Sequence, residues 1–317
     1  MDLPTKIHLE PTIKCNLKCI MCNHCARSRN AEDMSFEKFK YVVDQFPNLK
    51  KITLHGFGEP LLNKDFFLMI DYAKKRGIYV LFNSNFVLLT KELAEKLVDL
   101  GVDEIRASID TSNKKKYQEI KGFDMFDKVI ENLKTLINIK KEKNSVKPCI
   151  KIVSVLMKSN LQEFPEMIRL FCNLGVDEII VQNLVRFEEK IKKYSADAID
   201  KKEKQNVFNN AREIAKKKNI NVSFPPIEKT EYSCIWPWVS CFITAEGFMT
   251  PCCVNCGDPR VKNFGNVFEK SPKEIWNSIN YEKFREEMKL KNPPKVCKEC
   301  IVFRGYFKDF KEIKNDI

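Results

Sequence analysis

Short runs of β-branched and aromatic residues alternate with longer amphipathic stretches along the first 185 residues. In the longer stretches apolar residues recur at steps of three and four, which predicts helices with one buried face. The short runs have the length and composition of buried strands. The pattern predicts six strands, in the segments KIHLE, KITLHG, IYVLFN, EIRASID, IKIVSVLM and EIIVQN.

Several predicted helices carry their own start and stop signals. Thr90 is a candidate N-cap for KELAEKLVDLG, and Asn160 with Glu163 is a candidate capping pair for the stretch that follows them. Glycine, the residue that a left-handed C-terminal cap prefers, ends three of the helical stretches. These glycines are Gly77, Gly101 and Gly175.

The segment GVDEI occurs twice, at residues 101–105 and 175–179, and each time it joins the end of a helix to a strand. Such a repeat indicates strands that enter a parallel sheet through helical crossovers. The fold class predicted from the pattern is therefore α/β. Periodicity alone does not choose between an open sheet and an incomplete barrel.

The alternation of strands and helices ends after a polar helix near residues 197–219, where the segment NVSFPPIEK contains two prolines. This break predicts a domain boundary between about 220 and 233, with a first domain at 1–220 and a second at 221–317. The second domain holds seven cysteines, which predicts that it is organised around metal. These are Cys234, Cys241, Cys252, Cys253, Cys256, Cys297 and Cys300.

Composition narrows the class of protein. A hydrophobic fraction of 44% and a charged fraction of 31% are those of an ordinary globular protein. No apolar run reaches the roughly 18 residues of a membrane span, and the N-terminus lacks a signal-peptide core, so we expect a cytoplasmic protein without a membrane partner.

The net charge of +12 comes mostly from scattered lysines, and no nucleic-acid reader motif accompanies it. In a reducing compartment, thirteen cysteines indicate metal binding or catalysis before disulfides.

The segment CNLKCIMC places Cys15, Cys19 and Cys22 in a C-x3-C-x2-C spacing directly after the first predicted strand. A structural zinc site takes four protein ligands, whereas a reactive metal centre keeps one position open. Three thiolates therefore favour a reactive centre. A zinc site that takes Cys25 or His24 as its fourth ligand is the alternative.

This spacing resembles the signature of the radical S-adenosylmethionine superfamily. Three further segments at successive strand ends carry the resemblance: LHGFGEPLLN at 54–63, NSN at 83–85 and ASID at 107–110. It implies a partial (β/α)6 TIM-like barrel of parallel strands. It also implies that the three cysteines hold a 4Fe-4S cluster whose free iron binds S-adenosylmethionine, which is cleaved to a 5′-deoxyadenosyl radical that removes a hydrogen atom from substrate.

The resemblance also assigns roles around this cofactor. Gly58 and Glu59 are expected to meet the methionyl amino group, where a carboxylate opposite an ammonium makes a charge-assisted hydrogen bond. Relatives often carry a glycine after the asparagine of the third strand, and Phe86 stands there in this chain. The cofactor-binding residues implied are Met21, Gly58, Glu59, Ser84, Asn85, Ser108 and Asp110.

The C-terminal cysteines allow two interpretations. Two C-x2-C pairs, at 253–256 and 297–300, fit a zinc ribbon. The order of Cys234, Gly247, Cys252 and the last pair resembles the auxiliary-cluster domain called SPASM, in its one-cluster twitch form. The twitch resemblance implies an auxiliary 4Fe-4S cluster that serves electron transfer, with the ligands Cys234, Cys252, Cys297 and Cys300.

Other residues carry weaker signals. Cys149 and Cys172 lie in apolar contexts and are expected to be buried. Cys25, Cys241, Cys253 and Cys256 are interpreted as structural, or as a hydrogen-atom donor or substitute ligand. Arg186 follows the sixth strand and is a candidate catalytic base or substrate anchor, with an exposed surface arginine as the alternative.

Three functions follow from these observations. The ligand spacing resembles most closely that of deoxy-scyllo-inosamine dehydrogenase, which favours oxidation of a sugar or cyclitol with the auxiliary cluster as electron acceptor. The second is peptide modification, although Cys15 leaves no room for an N-terminal peptide-recognition domain. The third is a non-catalytic zinc or iron-sulfur module, which would leave the three strand-end segments without a purpose. An enzyme of the first two kinds needs a reductant such as flavodoxin or ferredoxin.

Overall fold

The computed structural model describes residues 1–22, 32–185, 189–228, 234–290, 292–298 and 300–303. They contain six strands in the first part of the chain, at the positions that the pattern predicts. These are β1 (Lys6–Leu9), β2 (Lys51–Leu54), β3 (Tyr79–Ser84), β4 (Glu104–Ser108), β5 (Cys149–Leu156) and β6 (Glu178–Asn183). Three shorter strands follow, β7 (Asn221–Ser223), β8 (Ser240–Ile243) and β9 (Met249–Thr250).

Helices fill the intervals between the strands. The first five are α1 (Phe36–Asp44), α2 (Phe66–Lys75), α3 (Lys91–Asp99), α4 (Lys114–Lys121) and α5 (Phe126–Glu142). The next two are α6 (Phe164–Leu174) and α7 (Lys201–Lys217). Four short helices complete the described chain: α8 (Trp236–Val239), α9 (Pro272–Trp276), α10 (Ile279–Lys289) and α11 (Lys295–Lys298).

The chain forms two compact units, and the first comprises the described parts of 1–16, 23–83 and 231–304. Strand β1 lies at its centre and pairs in parallel with β2 on one side and with β8 on the other. Strand β3 extends the sheet beyond β2 in parallel, and β9 returns antiparallel to β8 as a hairpin. Ile7 and Leu9 of β1 are buried, as are Ile52 and Leu54 of β2.

The second unit comprises the described parts of 17–22 and 84–230. Its strands β4, β5, β6 and β7 run parallel in that order. Helix α3 packs against α5, and α6 packs against α7. Both copies of GVDEI enter this sheet, because β4 begins at Glu104 and β6 begins at Glu178.

The expected fold class is confirmed: the chain is an α/β protein with a mostly parallel sheet. Among the described strands, β7 pairs only with β6 and β9 pairs only with β8. A strand with one partner is an edge, and a closed barrel has none. The sheet is therefore open, as a partial TIM-like barrel requires.

The cap signals had mixed outcomes. The Thr90 side chain accepts from Leu93 N at the start of α3, and Gly175 ends α6 in the left-handed region, both as predicted. The capping pair of Asn160 and Glu163 was wrong. The Asn160 amide accepts from Met157 N and donates to Asp110 O, and helix α6 begins only at Phe164 after one 3-10 turn. A buried asparagine that satisfies strand-end backbone groups has no oxygen left for a helix cap.

Within the described ranges, no helix combines the length and the apolar character that a membrane span needs.

Candidate iron-sulfur and cofactor site

The segment between β1 and Cys15 is fixed by its own polar contacts. Thr12 Oγ1 donates to Asp33 Oδ1 at 2.6 Å and accepts from Lys14 N at 3.0 Å. Lys14 Nζ also lies 3.0 Å from Asp33 Oδ2. These contacts hold the backbone in one conformation directly before the first cysteine of the triad, in the first unit.

The Gly58–Glu59 loop lies against this same segment. Glu59 N donates to Lys14 O at 2.8 Å, and Glu59 is only 2% exposed. A Cβ on Gly58 would lie 2.2 Å from Thr12 O and 2.7 Å from Lys14 O, which are backbone atoms. Glycine is therefore required for the close approach, which brings the Glu59 backbone against the chain that leads into Cys15.

Glu10, a residue that the sequence analysis did not single out, braces the same region. It is fully buried, and its two oxygens accept from Phe57 N at 2.9 Å and Ala245 N at 3.3 Å. A Cβ on Gly56 would lie 2.3 Å from the Glu10 side chain. The sequence signal for this role was a glutamate at the end of an apolar strand. A carboxylate buried at such a position must be hydrogen-bonded, so Glu10 could have been predicted to join neighbouring segments.

Asn63, the last residue of the LHGFGEPLLN segment, holds two more pieces of the first unit together. Its Nδ2 donates to Pro11 O at 2.8 Å and to Met34 O at 2.9 Å, and its Oδ1 accepts from Asp65 N. The side chain is 3% exposed. Asn63 thus fixes the segment between β2 and α2, which includes the loop of Gly58 and Glu59, against the backbone of Pro11 and Met34.

Residues 17–22, which carry Cys19, Met21 and Cys22, belong to the second unit. Lys18 N donates to Lys121 O, Ile20 N donates to Ile120 O, and Cys22 N donates to Cys19 O in a tight turn. Met21 packs with Ile20 against an apolar cluster. The cluster consists of Ile120, Met157, Leu184 and Ile191.

A buried ion pair lies beneath Cys19. Lys121 Nζ is 2.5 Å from Asp110 Oδ2, and Asp110 Oδ1 accepts from Val155 N at 2.7 Å. Burial lowers the pKa of Lys121, but the Asp110 carboxylate and then the Cys19 thiol outweigh it and raise that pKa above its ordinary value. Asp110 thus gives its oxygens to these two partners, and a positive charge is held beside a cysteine of the triad.

The turn after β3 contains the next two cofactor candidates. Ser84 Oγ accepts from Phe86 N, and Asn85 Oδ1 accepts from Val87 N, both at 3.0 Å. Phe86 has φ of +63° and is fully buried, so it adopts the left-handed backbone that a glycine would favour. The Asn132 amide donates to Phe86 O at 2.7 Å and stabilises the turn. Ser108, the remaining candidate, ends β4 and is half-buried.

Five cysteines of the first unit lie close together. The Cys256 thiol is hydrogen-bonded to both Cys252 and Cys297. Cys234 and Cys300 are close enough for Cys252 and Cys297 to perturb their pKa values. The set contains all four predicted auxiliary ligands together with Cys256, which the zinc-ribbon interpretation of the C-x2-C pairs also placed with Cys297 and Cys300.

Electrostatics distinguish Cys252 from its neighbours. A hydrogen bond from Cys256 lowers the pKa of Cys252 to about 7 against the opposing effect of burial, and the N–H groups of Asn255, Cys256 and Val254 assist. Burial raises the pKa of Cys300 to about 12, and burial likewise raises that of Cys234. A nest of backbone N–H groups therefore favours a thiolate at Cys252 before any metal binds.

Two structural features frame the five thiols. Gly247, at the turn between β8 and β9, has φ of +93°, and a Cβ there would lie 2.4 Å from the Phe268 ring. Arg285 of α10 is 3% exposed, packs against the rings of both Trp276 and Tyr281, and donates to Pro237 O at 2.8 Å.

The remaining candidates have separate fates. Arg186 and Cys25 lie outside the described residues. Cys172 on α6 is buried as expected, and Cys149 at the start of β5 is only half-buried. Cys241 is fully buried on β8. Cys253 lies beside two histidines that the sequence analysis did not assign to a site, His8 and His55.

The five thiols of the first unit include the type and number of ligands that a closed iron-sulfur cluster needs. Residues 9–181 match the family model of the Radical SAM superfamily, and residues 234–301 match an iron-sulfur cluster-binding domain, SPASM. The chain belongs to the Radical SAM superfamily, and its auxiliary domain is of the SPASM type.

Two curated relatives match along most of their length. A tungsten-containing aldehyde ferredoxin oxidoreductase cofactor-modifying protein of Pyrococcus furiosus is 31% identical over 88% of this chain and 82% of its own. An AdoMet-dependent heme synthase of Methanosarcina barkeri is 26% identical over 96% of this chain and 91% of its own. Among solved structures, Streptococcus suis SuiB bound to precursor peptide SuiA is similar with a TM-score of 0.73 and 16% identity, covering 96% of this chain and 71% of SuiB.

Membership of this superfamily implies a 4Fe-4S cluster, S-adenosylmethionine and an auxiliary iron-sulfur site. The residues present fit these groups. Cys15, Cys19 and Cys22 are partly exposed, as ligands of a cluster with one open iron should be. The buried Glu59 lies in a loop that packs against the backbone leading into Cys15, and the auxiliary set has more than the four thiols that a closed cluster needs.

Proposed function

We propose that this protein is a radical S-adenosylmethionine enzyme that carries out a two-electron oxidation of a sugar-like or cyclitol-like small molecule. The observation that carries the proposal is the auxiliary set, whose thiols are enough to close a cluster and would leave no iron open to substrate. When bound, the three-cysteine cluster with S-adenosylmethionine supplies hydrogen-atom removal, and the four-thiolate cluster supplies one-electron transfer. In this reaction a secondary alcohol would lose a hydrogen atom from its carbinol carbon, a proton from its hydroxyl group and one further electron, and would become a ketone.

The residues of this chain would divide the work as follows. Cys15, Cys19 and Cys22 would hold the first cluster, and Cys234, Cys252, Cys297 and Cys300 the auxiliary one. Glu59 would accept from the methionyl ammonium, and the backbone beside Met21 would meet adenine. Ser84, Asn85 and Ser108 would contact the ribose or the carboxylate, with Gly58 and Asp110 completing the cofactor site. Arg186 stays a predicted base.

The proposed domain boundary near residue 220 is supported by the two family models, which match the chain on either side of it.

The relatives with long coverage support a small molecule as substrate. By their printed names, one modifies the cofactor of an oxidoreductase and the other synthesises heme, and neither name describes a peptide. We therefore rank a small, non-polymeric substrate first. A low-potential electron carrier such as flavodoxin or ferredoxin is the proposed reductant.

Peptide modification is the second candidate function. It is favoured by the likeness to SuiB, a structure solved with a precursor peptide. A five-thiol auxiliary set is compatible with this function as well, so the substrate class is decided only by experiment.

Metal content tests the two cysteine sets. After anaerobic reconstitution we expect about eight irons per chain, and about four in Cys297→Ser. Cys256→Ser should keep about eight, because the proposed ligand set excludes it. Cys172→Ser, which changes a buried thiol on α6, is the matched control. Four irons in the wild type would remove the proposed electron acceptor.

Isotope transfer tests the reaction. Cyclitols and sugars deuterated at one carbinol carbon are incubated with the reconstituted enzyme, S-adenosylmethionine and a chemical reductant. Deuterium in the released 5′-deoxyadenosine together with a ketone product would support the proposal. Deuterium transfer only from labelled peptides would replace it with the second candidate.

A further inference from the structure

Three metal-binding side chains of the first unit converge outside both cysteine sets. His8 lies on β1, His55 follows β2 directly, and Cys253 follows the β9 strand. His8 Nδ1 is 2.8 Å from His55 Nε2 and 3.9 Å from Cys253 Sγ. All three ligand atoms lie within 4.8 Å of one another. The whole chain has only three histidines, and two of them meet here.

The spacing of these atoms is close to that of a bound metal ion. Tetrahedral zinc with Zn–N near 2.05 Å and Zn–S near 2.3 Å separates two nitrogens by about 3.3 Å and a nitrogen from a sulfur by about 3.5 Å. To bind zinc, the 2.8 Å distance between His8 and His55 would therefore have to increase by about half an ångström. The 3.9 Å distance between His8 and Cys253 would have to decrease by about the same amount. Side-chain rotation alone covers such a change.

The backbone holds the two histidines in place. Strands β1 and β2 pair in parallel, with His8 opposite Thr53, and His55 N donates to Leu9 O at 3.1 Å. The Trp236 ring packs on His8 with centroids 4.5 Å apart. Ligands on paired strands keep their separation better than ligands on loops, so the pair is preorganised.

Two imidazoles and one thiolate favour zinc among the common cellular metals. Thiolate is a soft ligand that suits zinc, and imidazole suits it equally well. Calcium and magnesium prefer oxygen, and the closed iron-sulfur sites use cysteine sets. Three protein ligands leave one tetrahedral position for water or another small ligand.

We propose that His8, His55 and Cys253 form a mononuclear zinc site, separate from the two cluster sites and independent of the reaction proposed above. The site would tie the end of β2, which leads into the loop of Gly58 and Glu59, to the segment that carries Cys252 and Cys256. Gly257 already packs there, since a Cβ on it would lie 2.8 Å from the Phe57 ring. Zinc would thus fix the cofactor loop against the auxiliary segment within the first unit.

The test uses the holoprotein, reconstituted with iron and sulfide, given one equivalent of zinc sulfate and desalted. We expect about one zinc per chain beside about eight irons, with no exchange between them. The zinc K-edge absorption spectrum, which iron does not obscure, should show two nitrogens near 2.0 Å, one sulfur near 2.3 Å and one further light atom.

Variants assign the ligands. Cys253→Ser and His55→Gln should weaken zinc affinity, measured by chelator competition, by at least about 100-fold, more than loss of an outer-shell partner costs. Iron content should stay unchanged in both. Cys149→Ser, a half-buried thiol of the second unit, should keep wild-type zinc affinity.

Three outcomes would overturn the proposal. Wild-type protein that retains no zinc would leave a histidine pair joined only by its hydrogen bond. A zinc shell of four sulfurs would place the metal in the auxiliary cysteines. Loss of iron together with zinc in Cys253→Ser would make that thiol a cluster ligand. If Cys253→Ser does not fold, the zinc affinity of His55→Gln still tests whether the site binds zinc.

Discussion

The ammonium of Lys121 and the carboxylate of Asp110 are 2.5 Å apart, and neither side chain is more than 4% exposed. Removing one partner of such a pair leaves an uncompensated buried charge, which costs about 3–5 kcal/mol. We expect Lys121→Met to lower the free energy of unfolding by this amount, measured by urea denaturation. Lys134→Met, an exposed lysine on α5, should change it by less than about 0.5 kcal/mol.

The double variant Lys121→Met with Asp110→Asn separates charge from packing. Because it removes both charges, it should recover much of the lost stability. Equal loss in the single and double variants would show that packing under Cys19, and not the unpaired carboxylate, carries the effect.

The pH dependence of this pair has a definite sign. The pKa of Lys121 is raised in the folded protein, so its contribution is complete below the unfolded value of 10.5 and is lost as pH rises through the folded value. The stability difference between wild type and Lys121→Met should therefore be constant from pH 7 to about 10 and shrink only above that. A difference that shrinks between pH 7 and 9 would contradict the ion pair.

Phe86 combines a left-handed backbone with a fully buried ring. Replacing it should cost about 3–5 kcal/mol through the cavity alone. In the left-handed region glycine avoids the Cβ penalty of about 1–2 kcal/mol, so Phe86→Gly should be more stable than Phe86→Ala. At Phe82, a buried residue on β3, the order of the two variants should be reversed, since glycine weakens a strand. The same order at both sites would mean that backbone strain at Phe86 is negligible.

Local patterns predicted the part of the fold that local physics determines. The six strands and the caps at Thr90 and Gly175 depend on periodicity and on residues a few positions apart. Asn160 misled the prediction because its partners, Asp110 and Val155, come from the sheet and not from the helix it precedes.

The candidate site likewise contains residues that the sequence pointed to and residues whose roles depend on distant partners. Spacing indicated a reactive centre at the three-cysteine triad, and the family resemblance pointed to the Gly58–Glu59 loop, because both lie in short segments. The roles of Glu10, Lys121 and Cys256 depend on partners far along the chain, such as Ala245 for Glu10. Strand register, which sequence pattern alone does not supply across units of this length, brings such partners together.

Cys252 should be the most nucleophilic thiol of the auxiliary set in iron-free protein. Its pKa of about 7 makes about half of it thiolate at neutral pH, whereas Cys234, half-buried like Cys252, has a raised pKa. Brief treatment with iodoacetamide, followed by peptide mass spectrometry, should label Cys252 first, with a rate that rises through pH 7. Faster labelling of Cys234 at pH 7 would show that access, and not thiolate character, controls the reaction.

Gly58 offers a direct test of the cofactor loop. A Cβ at this position meets the backbone oxygens of Thr12 and Lys14 at 2.2 and 2.7 Å, and backbone cannot yield as a flexible side chain can. Gly58→Ala should therefore push the Glu59 loop away from the segment leading to Cys15. We expect S-adenosylmethionine affinity, measured by calorimetry on reconstituted protein, to fall at least tenfold, which corresponds to about 1.4 kcal/mol.

The matched control for this variant is Gly77→Ala, at the end of α2. There φ is +71°, and a Cβ meets no heavy atom within 4 Å. This variant carries the strain of an alanine in the left-handed region, about 1 kcal/mol of stability, without any clash. Its cofactor affinity should equal that of the wild type at matched iron content. If Gly58→Ala bound S-adenosylmethionine as well as Gly77→Ala does, the close approach at Gly58 would serve folding alone, and Glu59 would lose its support as the ligand of the methionyl ammonium.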